Sequence, residues 1–235
     1  MKLFRYFNYF FFIAFKWNWE IAWITIKQEI AGEKKYGIIT TGSDDLKKLE
    51  ESGINIIHST MYMPVTYKII EAALDNVQLK QKQTFLDIGC GKGRGMCVAA
   101  HKGFQKVAGV DFSIQFCEEA ISNLEKINRK FPELEFEIYN NDAAEFDIPT
   151  DANCIFIFNP FDSVIMEMVI DNIEESLQLK QREINIIYAN PVYKNLFAER
   201  GFEEIYHTKN HQYFEVSIFS LPHKMQQADD KIIQL

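Results

Sequence analysis

A chain of 235 residues suits one domain with appendages, and 47% hydrophobic with 25% charged residues is ordinary for a folded, water-facing protein. A net charge of −8 argues against a nucleic-acid backbone as the main partner. Four cysteines (Cys90, Cys97, Cys117, Cys154) show neither metal-ligand pairs nor disulfide density, so they read as reduced thiols of a cytoplasmic core, with no metal site expected.

Residues 1–36 differ from everything after them. Leu3 to Phe15 is almost wholly aromatic and aliphatic, and Trp17, Trp19 and Trp23 follow. Lys16 and Glu20 interrupt the run before about 18 clean apolar residues accumulate, which argues against a spanning helix. No small-residue cleavage site marks a secretory signal. Six basic against three acidic residues leave this segment at +3, with −11 on the remainder. Two readings of one aromatic-rich helix stay open: it lies peripherally in a membrane interface, or it packs on the rest of the chain or a second subunit.

Residues 37–63 open with turn and cap chemistry around Gly42-Ser43-Asp44. Pro64 suits a helix start, and Val65, Ile69, Ala73 and Val77 recur every four residues to give one apolar face. Phe85, Leu86 and Ile88 form a short buried strand that carries Asp87 and runs into Gly89-Cys90-Gly91-Lys92-Gly93-Arg94. Glycines at alternate positions let the backbone turn sharply and approach a ligand, and the next helix points its N-terminus at the same place. A dinucleotide site wants G-x-G-x-x-G, whose third glycine position is Arg94 here.

The D-x-G-x-G-x-G pattern resembles the nucleotide loop of class I S-adenosylmethionine (SAM) dependent methyltransferases. The rest of the chain has the matching layout. Lys106 to Asp111 reads as a second strand ending in an acid 18 residues past Gly93, near the spacing that suits ribose hydroxyls. Phe116, Ala120, Leu124, Ile127 and Phe131 stripe a helix capped by Ser113 and ended by Pro132. Glu135 to Tyr139 alternates as a third strand, followed by Asp142 and Ala143. Asn153 to Phe158 is a buried fourth strand that delivers Asn159-Pro160-Phe161-Asp162, and a helix from Ser163 to Leu179 follows. A fifth strand over 183–190, a short helix stopped by Gly201, and two antiparallel strands around Lys209-Asn210 complete the core.

The resemblance covers residues 64–221. It implies an α/β fold, a Rossmann-like doubly wound seven-stranded sheet, mostly parallel with a C-terminal antiparallel hairpin. The chain then divides into an N-terminal helix (1–36), a substrate-side cover (37–63), the SAM-binding core and a polar tail (222–235). It also implies SAM as methyl donor and S-adenosyl-L-homocysteine as product. Cofactor-binding residues are then Asp87, Gly89, Gly91, Gly93, Arg94, Asp111, Phe112, Asp142 and Ala143.

Asn159-Pro160-Phe161 resembles a shortened form of the Asn/Asp-Pro-Pro-Tyr/Phe motif of amino-group methyltransferases, which makes these three the catalytic candidates. One proline is missing, and a plain Asn-Pro turn competes with this reading. Thr40, Thr41, Tyr62 and Asp162 are substrate-side candidates, with a helix cap as the alternative for Asp162. An amine of a protein or small molecule is the first acceptor read from these residues. An oxygen acceptor on a lipid-linked or saccharide molecule at a membrane would need a base, for which His58 and His207 are the candidates. A SAM-binding protein without catalysis is the third reading.

Overall fold

The computed structural model describes residues 2–42, 64–158, 161–209 and 215–221. Ser43, Asp44, His58, Tyr62, Asn159, Pro160 and the segment from Pro222 onward lie outside the described residues. Seven strands form one sheet: β1 (Thr84–Ile88), β2 (Lys106–Asp111), β3 (Glu135–Asn140), β4 (Ala152–Phe158), β5 (Asn185–Ala189), β6 (Glu203–Lys209) and β7 (Glu215–Ser220). Their order is β3-β2-β1-β4-β5-β7-β6, parallel except that β7 runs antiparallel to β5 and β6. β1 and β4 are central and apolar on both faces, as strands covered by helices on each side must be. β3, at an edge, is half-buried from Phe136 to Tyr139 rather than alternating between buried and exposed.

Alternation along the strands feeds two apolar layers. Phe85, Val107, Cys154 and Phe156 pack against α3 (Tyr67–Asp75), α4 (Arg94–His101) and α5 (Ile114–Asn128). Leu86, Val110, Ile155 and Ile157 face α6 (Ser163–Leu179) and α7 (Lys194–Glu199). All four cysteines are free and buried. Gly201 follows α7 at φ 82°, in the left-handed region that stops a helix.

Two helices differ from the sequence reading. α3 begins at Tyr67, three residues after Pro64, because Thr66 is still extended and the Val65 carbonyl accepts from Arg94 Nη1 at 2.6 Å. Its buried face is Tyr67, Ile70, Ala73 and Leu74 rather than the stripe through Ile69 and Val77. The aromatic segment is not one helix but two, α1 (Lys2–Lys16) and α2 (Trp19–Tyr36). Asn18 breaks it: its backbone is extended and its side chain caps α2 by accepting from Ile21 N at 2.8 Å. Tyr9, Ile13, Ala14, Ala22 and Ile26 form the seam between the two helices.

The inner face of α2 packs on the core, and Gly32 is the point of closest approach. A Cβ there would stand 2.1 Å from the Tyr67 ring, so only glycine admits the contact. Tyr67 also stacks on Tyr36, with centroids 5.4 Å apart, and carries the Arg94 guanidinium 4.2 Å from its own ring centroid. The outer face is different. Leu3, Phe4, Phe7, Phe15, Trp19 and Trp23 are all more than half exposed. No described helix is long and apolar enough to cross a membrane.

Candidate functional site

The site is built where β1, β2 and β3 end side by side. Gly89, Gly91 and Gly93 adopt φ of 76°, 51° and 77°, left-handed values that the alternate glycines make accessible without strain. Gly89 N and Cys90 N donate to the Val110 carbonyl at 2.9 and 3.0 Å, which ties the turn to the end of β2. Asp111 fixes it from the side: Oδ2 accepts from Gly91 N at 2.8 Å and Oδ1 from Ser113 N at 2.9 Å. Each carboxylate oxygen keeps a further lone pair for a ligand. Ser113 caps α5 as the sequence requires.

Asp87 sits beneath this loop, 4% exposed. Burial, reinforced by the Asp111 charge, pushes its carboxyl up to about 8, and no basic side chain among the described residues offsets this. Burial likewise lifts Asp111 to about 6, against the lowering effect of its bonds from Ser113 and Gly91. Two carboxyls held close together above their ordinary range favour a cation nearby. Burial also holds the Cys90 thiol well above its usual range, so it stays protonated.

Phe112 is half-buried after β2, and Asn140 Nδ2 donates to the Phe112 and Asp111 carbonyls at 2.9 and 3.1 Å, which joins the ends of β2 and β3. Asp142 is exposed and caps a single 3₁₀ turn (Ala143–Glu145), accepting from Ala144 N at 2.9 Å; Ala143 itself is buried. Asp87, Asp111 and Asp142 thus stand at the ends of three adjacent parallel strands. At the end of β4 the described chain stops at Phe158 and resumes at Phe161, which is 7% exposed and packed in the apolar layer with Ile157 and Met166. Asp162 caps α6, Oδ1 accepting from Val164 N and Ile165 N at 3.1 Å, so the helix-cap alternative accounts for it.

The side chains of Arg94, Thr40 and Thr41, candidate ligand contacts in the sequence, are brought together in the structure. Arg94 points away from the loop into a buried polar network under the N-terminal helices. Its Nη1 and Nη2 donate to Glu29 Oε1 and Oε2 at 2.7 and 2.5 Å, and its Nε donates to Thr40 Oγ1 at 2.8 Å. Thr41 Oγ1 donates to Glu29 Oε2, and Thr40 N and Thr41 N donate to Glu33 Oε1 at 2.9 and 2.8 Å. Burial alone raises the Glu33 carboxyl, but hydrogen bonds from Tyr6, Thr41 and Thr40 outweigh it and hold the group below its ordinary value. Both threonines are at most 1% exposed, so their side chains serve this network.

The network still belongs to the site's frame. Asn123 on α5 accepts from Ile39 N and donates to the Ile39 and Lys92 carbonyls at 3.1 and 3.0 Å, clasping the segment after α2 to the glycine loop. His207 is on β6 at the far edge of the sheet, against Ser217 and Glu204, and cannot act as a base at the β1–β4 end.

Comparison with known proteins agrees with this geometry. Residues 85–180 match the family model described as a methyltransferase domain. A protein-lysine N-methyltransferase from Saccharolobus islandicus (strain REY15A) is 33% identical over 67 residues, 28% of this chain. The match spans about two fifths of that relative's length, 41%. Among solved structures, a putative methyltransferase from Pseudomonas syringae is similar with a TM-score of 0.52 at 15% identity, over 65% of this chain and 96% of that one. StiE O-MT residues 961–1257 also reach 0.52, at 11% identity, over 71% of this chain and 79% of that one. Residues 85–180, about two fifths of the chain, thus match a methyltransferase domain, within a sheet of mostly parallel, Rossmann-like layout.

Proposed function

We propose that this chain binds SAM along the ends of β1, β2 and β3 and transfers its methyl group to an amine nitrogen held by Asn159-Pro160-Phe161. One observation carries the donor half: three acids on adjacent strands around a turn of left-handed glycines, with no cation among the described residues offsetting the buried Asp87 carboxyl. The donor's ammonium supplies that charge, Asp111 suits the two ribose hydroxyls, and Asp142 with Ala143 suits the adenine edge. SAM brings a methyl group already activated by its sulfonium. The chain's task is alignment, which supplies roughly 7–11 kcal/mol when donor and acceptor are held in line.

The acceptor must arrive as a neutral amine, because an ammonium has no lone pair. Its nitrogen attacks the methyl carbon as the carbon–sulfur bond breaks, the bonding electrons stay on sulfur, and the nitrogen then sheds a proton. Asn159 and the Pro160 carbonyl accept from that nitrogen and stabilise the charge it develops. The lysine-modifying activity named for the archaeal relative supports nitrogen as the target. Asn159→Ala is expected to lower turnover about 100-fold or more while SAM affinity changes less than about twofold. S-adenosylhomocysteine release from fractionated cell extract measures this. Full turnover in the variant would overturn the nitrogen assignment, and no release from the native chain would leave a binding protein.

A second reading concerns place. The outer face of α1 and α2 joins exposed Phe7, Phe15 and Trp19 through Phe11 and Trp23 through Phe10, with Lys27 5.0 Å from the Trp23 ring centroid and Lys16 5.5 Å from that of Phe12. Aromatic rings with lysines lying over them favour peripheral contact with an anionic bilayer, and with it a lipid-linked or saccharide oxygen acceptor. Full-length protein should sediment with phosphatidylserine vesicles, and Trp19→Ala/Trp23→Ala should weaken binding by about tenfold. Equal sedimentation of both would remove this reading.

A further inference from the structure

An apolar cleft open to solvent lies between the N-terminal helices and the start of α3. Tyr9, Ile13 and Ile21 line one side, Val65 and Phe158 the other. Phe158 is the last residue of β4, and the next in the chain is Asn159. The cleft therefore adjoins the strand end assigned above to transfer.

One polar atom in its wall is unexplained. Thr66 stands at the N-cap of α3, yet its hydroxyl makes no cap bond; Ile69 N and Ile70 N donate to its carbonyl. The residue is 5% exposed, lines the cleft, and its Oγ1 finds no hydrogen-bond partner. A buried hydroxyl left without a partner costs about 1–3 kcal/mol. The neighbouring network shows the contrast, since Arg94, Glu29, Thr40 and Thr41 all have partners. An unpaired hydroxyl in an apolar wall is the pattern of a specificity group awaiting a ligand atom.

We infer that this cleft holds the apolar part of the methyl acceptor, a small molecule whose aryl or branched alkyl group lies against Ile13, Ile21 and Phe158 while one hydrogen-bonding atom meets Thr66 Oγ1. A peptide fits less well, because each residue would bring an N–H and a carbonyl against a mostly apolar wall. The assignment rests on the reading of the β4 end as the transfer site. It makes the α1–α2 pair the element that selects the acceptor.

The test titrates the full chain with tyramine, which carries a hydroxyl, and phenethylamine, which lacks it, with and without S-adenosylhomocysteine. Tyramine is expected to bind about fivefold more tightly, the worth of one neutral hydrogen bond. Thr66→Val, which removes no cap bond, should erase that preference and leave phenethylamine affinity unchanged. Ile13→Trp should fill the cleft and weaken both probes more than about tenfold, with S-adenosylhomocysteine affinity unaltered. Equal probe binding in Ile13→Trp and the native chain would overturn the inference. If that variant fails to fold, Trp19→Phe/Trp23→Phe leaves Trp17, which lines the cleft, as the only tryptophan of three. A saturable change in its emission with either probe is then expected, and its absence overturns the proposal. Probe binding without any S-adenosylhomocysteine binding would support the cleft and overturn the donor reading instead.

Discussion

Glu29→Ala is expected to remove about 3–5 kcal/mol of stability, the cost of leaving one member of a buried ion pair alone. Glu29 is fully buried and accepts both terminal nitrogens of Arg94, whose side chain is 4% exposed. Without that carboxylate the guanidinium loses its two-point countercharge, although Thr40 Oγ1, the Val65 carbonyl and the Tyr67 ring still contact it. Water must enter or α2 must lift away from the core. Urea unfolding measures the loss, and proteolysis after α2 should accelerate. Arg94→Leu added to Glu29→Leu should recover a large part, because a pair replaced by apolar groups leaves no orphan charge. A loss below about 1 kcal/mol would mean that the pair is solvated. Since Arg94 directly follows Gly93, the same variant should also weaken donor binding.

Asp87→Asn should stabilise the ligand-free protein and weaken SAM binding, opposite signs from one atom's change. The folded Asp87 carboxyl, at about 8, lies above its unfolded value near 4. Folding therefore takes up a proton between those values, and ligand-free stability falls as pH rises from about 4 to about 8. Asp111, at about 6, adds a smaller fall between about 4 and 6. The asparagine variant lacks the Asp87 contribution and should exceed the native chain at pH 7 by on the order of 2–4 kcal/mol. It also lacks the charge that meets the donor's ammonium, so affinity should drop more than about tenfold. In the native chain that ammonium favours the ionised carboxylate, so binding at pH 7 should release close to one proton. Calorimetry in two buffers of different ionisation enthalpy reads this release. A variant no more stable than the native chain at pH 7 would contradict the burial of Asp87.

Much of this fold was legible because the strand ends carry their own chemistry. β2, the start of α5 and both ends of α6 fall where the apolar runs and the caps at Ser113 and Asp162 put them. Local signals serve less well where a distant residue decides the outcome. Arg94 looked like part of the loop that precedes it, but its partner Glu29 lies 65 residues away. A signal for that partner existed: Ala22, Ile26, Glu29, Glu33 and Tyr36 recur at helical spacing, so two acids fall on the inward stripe of α2. An acid there needs a buried cation or donors. The break at Asn18 was readable as a cap, yet the aromatic run on either side masked it. The start of α3 was not readable at all, since only the docked Arg94 shows what engages the Val65 carbonyl before the extended Thr66.

The most direct measurement is a crystal structure of the complex with S-adenosylhomocysteine. The account predicts its ribose hydroxyls within hydrogen-bond distance of Asp111, its adenine beside Asp142 and Ala143, and its amino group over Gly89 and Asp87. A nucleoside bound elsewhere, or one in this cavity that touches none of those carboxylates, would contradict it.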